Sequence, residues 1–162
     1  MKNKVSVIVP TYNERDNLPE LVKRLDEALT RYKYEIIVVD DDSPDKTWKI
    51  ALDLSKNYPV KVIKRIEERG LSTAVLKGFK EINSDIVVIM DADLQHPPEK
   101  VPELVESIKE GADIAIGSRF VEGGSIGNWS YRRLFVSKIA GFLAKTFFRE
   151  IREINDIESG FL

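Results

Sequence analysis

Asp85-Ile86-Val87-Val88-Ile89-Met90 runs directly into Asp91-Ala92-Asp93-Leu94-Gln95-His96-Pro97-Pro98. The first six residues have the length and β-branched content of a fully buried strand, and Pro97-Pro98-Glu99 announces a helix, so Asp91 to His96 is the turn between them. In open α/β sheets ligands collect at the carboxyl ends of the strands, which places both carboxylates on the favoured rim. Two carboxylates and an amide oxygen within five residues suit a hard divalent ion that shares its shell with substrate phosphates. Asp91, Asp93 and Gln95 are therefore the candidate metal ligands. The plainer alternative is that Asp91 caps a turn and Asp93 is solvated, since Asp-x-Asp is common by chance. Position favours the metal reading.

Working outward, strand and helix signals alternate. Val5-Ser6-Val7-Ile8-Val9 reads as strand one, closed by Pro10, and Leu18, Leu21, Val22, Leu25 and Leu29 follow at helical spacing. Tyr34 to Asp40 reads as strand two, with Ser43-Pro44 as cap and first-turn proline of a helix reaching about Tyr58. Val60 to Ile63 is a short third strand, and Gly70 opens a helix ending near Asn83. Beyond the central strand, Pro98 to Lys109 is helical, Gly111 stops it, and Ala112 to Gly117 reads as strand five. Repeated units of this kind imply an α/β fold: right-handed crossovers and a Rossmann-like, mostly parallel sheet with helices on both faces. No repeat or linker interrupts the 162 residues, so one domain is expected.

Composition narrows the function classes. A chain that is 43% hydrophobic and 32% charged has enough apolar content for a real core. A formal net charge of −2 offers no basic field, which argues against a nucleic-acid partner. The absence of cysteine excludes disulfides, a thiolate nucleophile and zinc–sulfur sites, and fits a reducing compartment. Met1 to Val9 lacks the apolar length and small-residue cleavage site of a signal peptide.

Two further loops carry polar groups. A dinucleotide-binding fold would place Gly-x-Gly-x-x-Gly after strand one; here stands Pro10-Thr11-Tyr12-Asn13-Glu14-Arg15. An aromatic face, an amide and a carboxylate suit cradling a base and ribose better than wrapping a pyrophosphate, whereas a simple capped turn, with Asp16 or Asn17 as N-cap, is the bland alternative. Strand two ends in Asp40-Asp41-Asp42, whose mutual repulsion costs free energy unless something uses it. Asp41 is placed to accept hydrogen bonds from a ribose or a base edge, while Asp42 and Ser43 suit a helix N-terminus.

Taken together, Val7 to Glu14, Val38 to Asp45, Asp91 to Pro98 and Gly117-Ser118-Arg119 resemble the inverting family 2 glycosyltransferases, and within them the archaeal polyprenyl-phosphate (dolichyl-phosphate) mannose synthases. The resemblance spans essentially the whole chain. It implies the GT-A fold, a GDP-mannose donor, Mg2+ or Mn2+, a polyprenyl (dolichyl) phosphate acceptor and a cytoplasmic location at the cytoplasmic face of the membrane. Carried over by position, Pro10, Tyr12, Glu14, Val39 and Asp41 would hold the nucleoside. Asp91, Ala92 and Asp93 would contact the donor, with Asp93 and Gln95 as metal ligands. A UDP-glucose donor, a saccharide acceptor, or a nucleotide-sugar-binding domain without turnover are the alternatives.

A phosphate monoester acceptor is already anionic near neutrality, so transfer to it requires no general base, only positioning and charge neutralisation. Arg119 and Arg133 are the candidates for gripping the acceptor phosphate, because guanidinium makes bidentate, charge-assisted bonds, and Ser137 shares a helix face with Arg133. Asp93, Arg119 and Arg133 are thus the residues expected to carry the chemistry. The apolar stretch from Leu134 to Phe148 is too short to span a bilayer and reads as an interfacial helix flanked by Arg132, Arg133, Lys138, Lys145 and Arg149, or else as a core helix. His96, the sole histidine, is assigned to loop packing, Trp48 and Met90 to packing, and Trp129 to an interface. Relatives in this family continue well past Asp156-Ile157-Glu158-Ser159-Gly160-Phe161, so the C-terminal part of the family domain is expected to be missing here.

Overall fold

The computed structural model describes residues 4–118 and Phe161. Four strands, β1 (Lys4–Thr11), β2 (Lys33–Asp40), β3 (Val60–Lys64) and β4 (Ile86–Ile89), form one sheet in the order β3-β2-β1-β4, and every neighbouring pair is parallel. The chain builds outward from β1 to β3 and then returns past β1 to lay down β4. The direction of winding therefore reverses between β1 and β4, the switch point at which such sheets open a crevice.

Alternation along the strands sorts side chains to two faces. Val5, Val7 and Val9 join Ile36, Val38, Ile86 and Val88 in the larger buried cluster. Three helices supply most of the rest of that cluster, α1 (Leu18–Ala28), α2 (Thr47–Leu54) and α4 (Val101–Lys109), with Met90, Ala92 and Phe161 added from outside them. Leu18, Leu21, Val22, Leu25 and Leu29 are all fully buried, as their spacing predicts. On the other face Ile8, Ile37 and Val39 pack against Ala74 of α3 (Leu71–Phe79). This helix lies close to the sheet: a Cβ on Gly78 would come within 2.6 Å of Ile8 Cγ2.

Several local expectations are corrected. Pro10 does not end β1 but sits inside it, opposite Val39. The β1–β4 ladder stops at Ile8, which accepts from the Met90 N–H, so on that side no partner awaits the amide hydrogen that Pro10 lacks. Ser43-Pro44 is not a helix start but the front of a β-turn closed by Lys46 N–H to Ser43 O (3.0 Å). The group that serves α2 is Asp45, which accepts from Thr47 N–H at 2.9 Å and Thr47 Oγ1 at 2.6 Å. Asn17 stands at the N-cap of α1 without capping it, its amide donating instead to Glu14 Oε2 (2.8 Å). Helices α2 and α3 end at Leu54 and Phe79, short of Tyr58 and Asn83. Pro98–Lys100 is a 3-10 turn leading into α4, and Gly111, at φ +110°, stops that helix as expected.

The fifth strand expected over Ala112 to Gly117 is also absent. That segment is irregular, with Ile114 70% exposed, and it lies beside β4 without joining its ladder. Its backbone hydrogen bonds include Ala112 N–H to Ser107 O (3.2 Å) at the end of α4 and Gly117 N–H to Phe161 O (2.9 Å). An apolar sequence becomes a strand only where a partner ladder and a covered face receive it, and among the described residues β4 offers only four paired residues on its inner side.

Candidate active site

The carboxyl ends of β1, β2 and β3 are tied together by the acids that close β2. Asp40 is fully buried and accepts from Thr11 Oγ1 (3.0 Å), Ser43 N–H (2.9 Å) and Ser43 Oγ (2.6 Å). Asp41 meets Arg65, whose Nε donates to Oδ1 at 2.7 Å and whose Nη2 reaches the same oxygen, while Gly70 N–H donates to Oδ2 at 2.7 Å. Asp42, at φ +53°, turns outward to Lys64 Nζ (2.8 Å). The repulsion latent in three adjacent carboxylates is thus divided among hydroxyls, a buried guanidinium and a surface ammonium.

Arg65 was not singled out by the sequence reading, yet its signal was present. Asp40 pairs in register with Lys64, so the next residues along, Asp41 and Arg65, meet at the end of adjacent parallel strands. Only the order of strands, which no local pattern reveals, makes Lys64-Arg65 the neighbours of the acid run.

The first loop is stitched to the second. Asn13 takes the left-handed conformation (φ +61°), and three consecutive backbone N–H groups find partners across the β2–α2 loop. Asn13 donates to Ser43 Oγ (3.0 Å), Glu14 to Thr47 Oγ1 (3.0 Å) and Arg15 to Asp45 Oδ2 (3.1 Å). Burial pushes the Asp45 carboxyl up, but the donors on Thr47 and Arg15 outweigh it and hold it below the ordinary aspartate value.

Above this frame lies a cleft of about 400 Å³, within the range of small-ligand pockets. Pro10, Tyr12 and Asp41 line it with Arg69, Leu71 and Ala74. Tyr12 is 48% exposed, and the Arg69 guanidinium lies 5.8 Å from its ring centroid. Of the other candidate nucleoside residues, Val39 is fully buried, packs with Ala74 in the cluster beneath and is not among the residues lining the cleft. The Glu14 carboxylate is engaged by Asn17 and is not among the groups lining the cleft.

One strand over, β4 gives way to the acidic turn. Met90 and Ala92 are buried in the larger core, which alternates Asp91 and Asp93 to the other side. Asp93 Oδ1 accepts from Gln95 N–H (3.0 Å), and Leu94 is left-handed at φ +60°, a tight side-chain-closed turn. Burial first, and the neighbouring Asp93 second, push the Asp91 carboxyl above its ordinary value against a smaller opposing effect of His96. Among the described residues neither carboxylate forms an ion pair with lysine or arginine, and no group of three or more His, Cys, Asp or Glu side chains is arranged to hold a metal ion by itself. Two unneutralised carboxylates with exposed Gln95 beside them fit a divalent cation whose remaining ligands come from substrate oxygens.

His96 packs as expected, its ring centroid 5.4 Å from that of buried Phe161. A Cβ on Gly117 would run into the same phenylalanine ring. The acidic turn, Gly117 and Phe161 are thereby gathered at one place. Arg119, Arg133, Ser137, Trp129 and the Leu134 to Phe148 stretch lie outside the described residues.

A parallel 3-2-1-4 sheet with an acidic turn after β4 and a cleft beyond β1 and β2 is the arrangement of the GT-A glycosyltransferase fold. The chain belongs to glycosyl transferase family 2, whose model matches residues 6–161. It is 59% identical over 158 residues to a dolichol-phosphate mannosyltransferase of Pyrococcus furiosus, covering 98% of this chain and 45% of that protein. It is 42% identical to a polyprenol monophosphomannose synthase of Mycolicibacterium smegmatis, covering 96% of this chain and 59% of that one. The chain thus spans about half the length of these relatives. Among solved structures, a mannosyltransferase from Pyrobaculum calidifontis in complex with GDP-Man and Mn2+ superposes with a TM-score of 0.59 at 31% identity, over 72% of this chain and 34% of that one. A glucosyl-3-phosphoglycerate synthase from Mycobacterium tuberculosis shares the fold, with a TM-score of 0.73 at 23% identity over 98% of this chain and 55% of that one.

Proposed function

We propose that this chain is the donor-binding, catalytic domain of an enzyme that transfers mannose with inversion from GDP-mannose to a polyprenyl (dolichyl) phosphate. The observation that carries the reading is the Asp91–Asp93 pair, without a lysine or arginine partner among the described residues, at the end of β4 beside a nucleoside-sized cleft that holds Tyr12 and Asp41. The names of the two relatives that match nearly the whole chain support the sugar and the acceptor. The GDP-Man and Mn2+ bound by the Pyrobaculum enzyme support the donor and a divalent ion, Mg2+ or Mn2+.

In this reading Tyr12 supplies a face for the base, Asp41 accepts a hydrogen bond from the nucleoside, and Asp91, Asp93 and Gln95 hold the cation. When bound, that ion neutralises the charge that develops on the departing diphosphate. An acceptor phosphate oxygen attacks the anomeric carbon as the bond from that carbon to the diphosphate oxygen breaks, and GDP leaves with the electron pair. The nucleophile arrives as an anion, so no side chain takes a proton from it. Arg119 and Arg133, with Ser137, are assigned to hold the acceptor phosphate in line. No helix among the described residues is long and apolar enough to cross a membrane; the reading places the protein at the cytoplasmic membrane surface, where its lipid acceptor resides.

The test is transfer from GDP-mannose to a short polyprenyl phosphate and to the corresponding free alcohol, with Mn2+ and with EDTA, alongside calorimetric titration of GDP-mannose and UDP-glucose. Metal-dependent transfer to the phosphate alone is expected. Equal transfer to the alcohol would overturn the phosphate acceptor, and tight binding in EDTA would overturn the role of the acid pair. Because the chain spans only about half of its relatives' length, a second reading stands beside the first: nucleotide-sugar binding without turnover, signalled by GDP-mannose affinity with no transfer.

A further inference from the structure

We propose that Arg65 is a positioning residue for base selection: it fixes the Asp41 carboxylate so that a single acceptor site remains, one that takes an N–H from the edge of the nucleotide base. The inference rests on the donor-binding reading above and deepens it.

An ionised carboxylate accepts at about four lone-pair sites and donates nothing. Three of Asp41's sites are filled from inside the protein. Arg65 Nε and Nη2 take Oδ1, and Gly70 N–H takes Oδ2 at 2.7 Å. Among the described residues this leaves one site on Oδ2, on a residue that lines the cleft. Arg65 itself is 6% exposed and spent on the protein: Nη1 donates to Thr73 Oγ1 (2.8 Å) and Nη2 to Gly70 O (3.0 Å). It therefore acts on a ligand only through Asp41 and through the loop that Gly70 anchors. Gly70, at φ +122°, both donates to Asp41 and accepts from Arg65, a conformation that a side chain would strain.

Buried ion pairs seldom add much stability, because desolvation offsets their attraction. What this one adds is orientation. The cleft walls beside Asp41 are Pro10, Leu71, Ala74 and the half-exposed Tyr12 ring, surfaces that suit the flat face of a base. A base held there meets Asp41 with its edge. Guanine N1–H and uracil N3–H donate to a lone pair, whereas adenine N1 presents a lone pair of its own and is repelled. Selection is therefore for an imide N–H and against adenine; it does not separate guanine from uracil.

The experiment titrates the intact protein in Mn2+ with GDP, UDP and ADP, for wild type, Arg65→Lys and Thr73→Val. Lysine keeps the charge and loses the fork. Arg65→Lys is expected to weaken GDP and UDP by about 10- to 100-fold, the scale of a charge-assisted hydrogen bond, with ADP changed by less than about twofold, so that base discrimination collapses. Thr73→Val, which removes one Arg65 partner outside the cleft, should move discrimination the same way by about two- to fivefold. If Arg65→Lys weakens all three nucleotides alike, or lowers the melting temperature with discrimination intact, Arg65 is merely structural and the proposal falls. Should that variant not fold, unchanged discrimination in Thr73→Val overturns it equally. Wild type binding GDP and ADP equally would defeat this inference alone, as would a ribose hydroxyl being the Asp41 donor, since ribose is common to both. Binding of none of the three would defeat the functional reading beneath it.

Discussion

The two acidic loops at the carboxyl edge of the sheet are built on opposite principles. After β2, every carboxylate is claimed by the protein: Asp40 by hydroxyls and an amide, Asp41 by Arg65 and Gly70, Asp42 by Lys64. After β4, Asp91 and Asp93 have no lysine or arginine in ion-pair contact among the described residues, and burial first, with Asp93 second, shifts the protonation of Asp91 upward. The charge of the first loop is met by the protein before any ligand arrives, while that of the second is left for a ligand to meet. Acids in a protein thus signal function less by their number than by whether their neighbours have already neutralised them.

The sharpest way to break this contrast is at Asp93. Asp93→Ala is expected to lower metal-dependent GDP affinity by about 10- to 100-fold and to lower the melting temperature without ligand only slightly, through loss of the exposed bond from Gln95 N–H that closes the turn. A large loss of stability would show that the turn is a structural element after all. On the opposite loop the balance reverses: Asp40→Asn places an amide where Thr11 Oγ1, Ser43 N–H and Ser43 Oγ all donate. The expected cost is about 2 kcal/mol of folding stability, the scale of an unsatisfied buried group, read by urea denaturation, with any loss of nucleotide affinity following the loss of folded protein. Between these extremes lies Tyr12, half-exposed in the cleft and with no side-chain hydrogen bond among the described residues. Tyr12→Ala should weaken nucleotide binding by about 1–2 kcal/mol, the worth of one base–aromatic contact, with the sheet untouched; unaltered calorimetric affinity would remove it from the site.

The smallest effect concerns acid. Asp45 is held below its ordinary value in the folded protein, so its contribution is complete above an unfolded value of about 3.9 and is lost as pH falls through the lower folded value. Melting temperatures of wild type and Asp45→Ala should differ at pH 6 and converge as pH is lowered through about 4 and below. A difference that stays constant would mean that the carboxylate's charge plays no part in holding the first loop.

Much of this architecture was legible because it is repetitive. The β-branched runs at Val5 to Val9, Ile36 to Val39 and Ile86 to Ile89 and the spacing of the α1 leucines report burial directly, and burial is what the core rewards. The acidic turn was legible for the same reason, since an apolar run that stops at two aspartates has few readings. Capping was not, because Asp42, Ser43, Asp45 and Thr47 are all competent acceptors within six residues and only the path of the backbone selects Asp45. Nor was the partner of Asp41 legible: Arg65 sits in a polar stretch, Lys64-Arg65-Ile66-Glu67-Glu68-Arg69, that reads as solvated loop until β3 is placed beside β2. Ala112 to Gly117 failed for the converse reason, having a strand's composition without a ladder to join.

The three bonds that stitch Asn13, Glu14 and Arg15 to the second loop carry a consequence in time. They join residues 30, 33 and 30 positions apart, so the loop that follows β1 cannot take its final shape when its own strand and helix form. It must wait for β2 and the turn at Ser43-Pro44 to arrive and dock, and closing such a span is slower than any event within one strand–helix unit. As the chain leaves the ribosome, the first loop emerges 30 to 33 residues ahead of the groups that will hold it. Nucleotide competence is thereby a late property of folding, acquired only when two units have met, and a binding fluorophore would report that meeting rather than the collapse that precedes it.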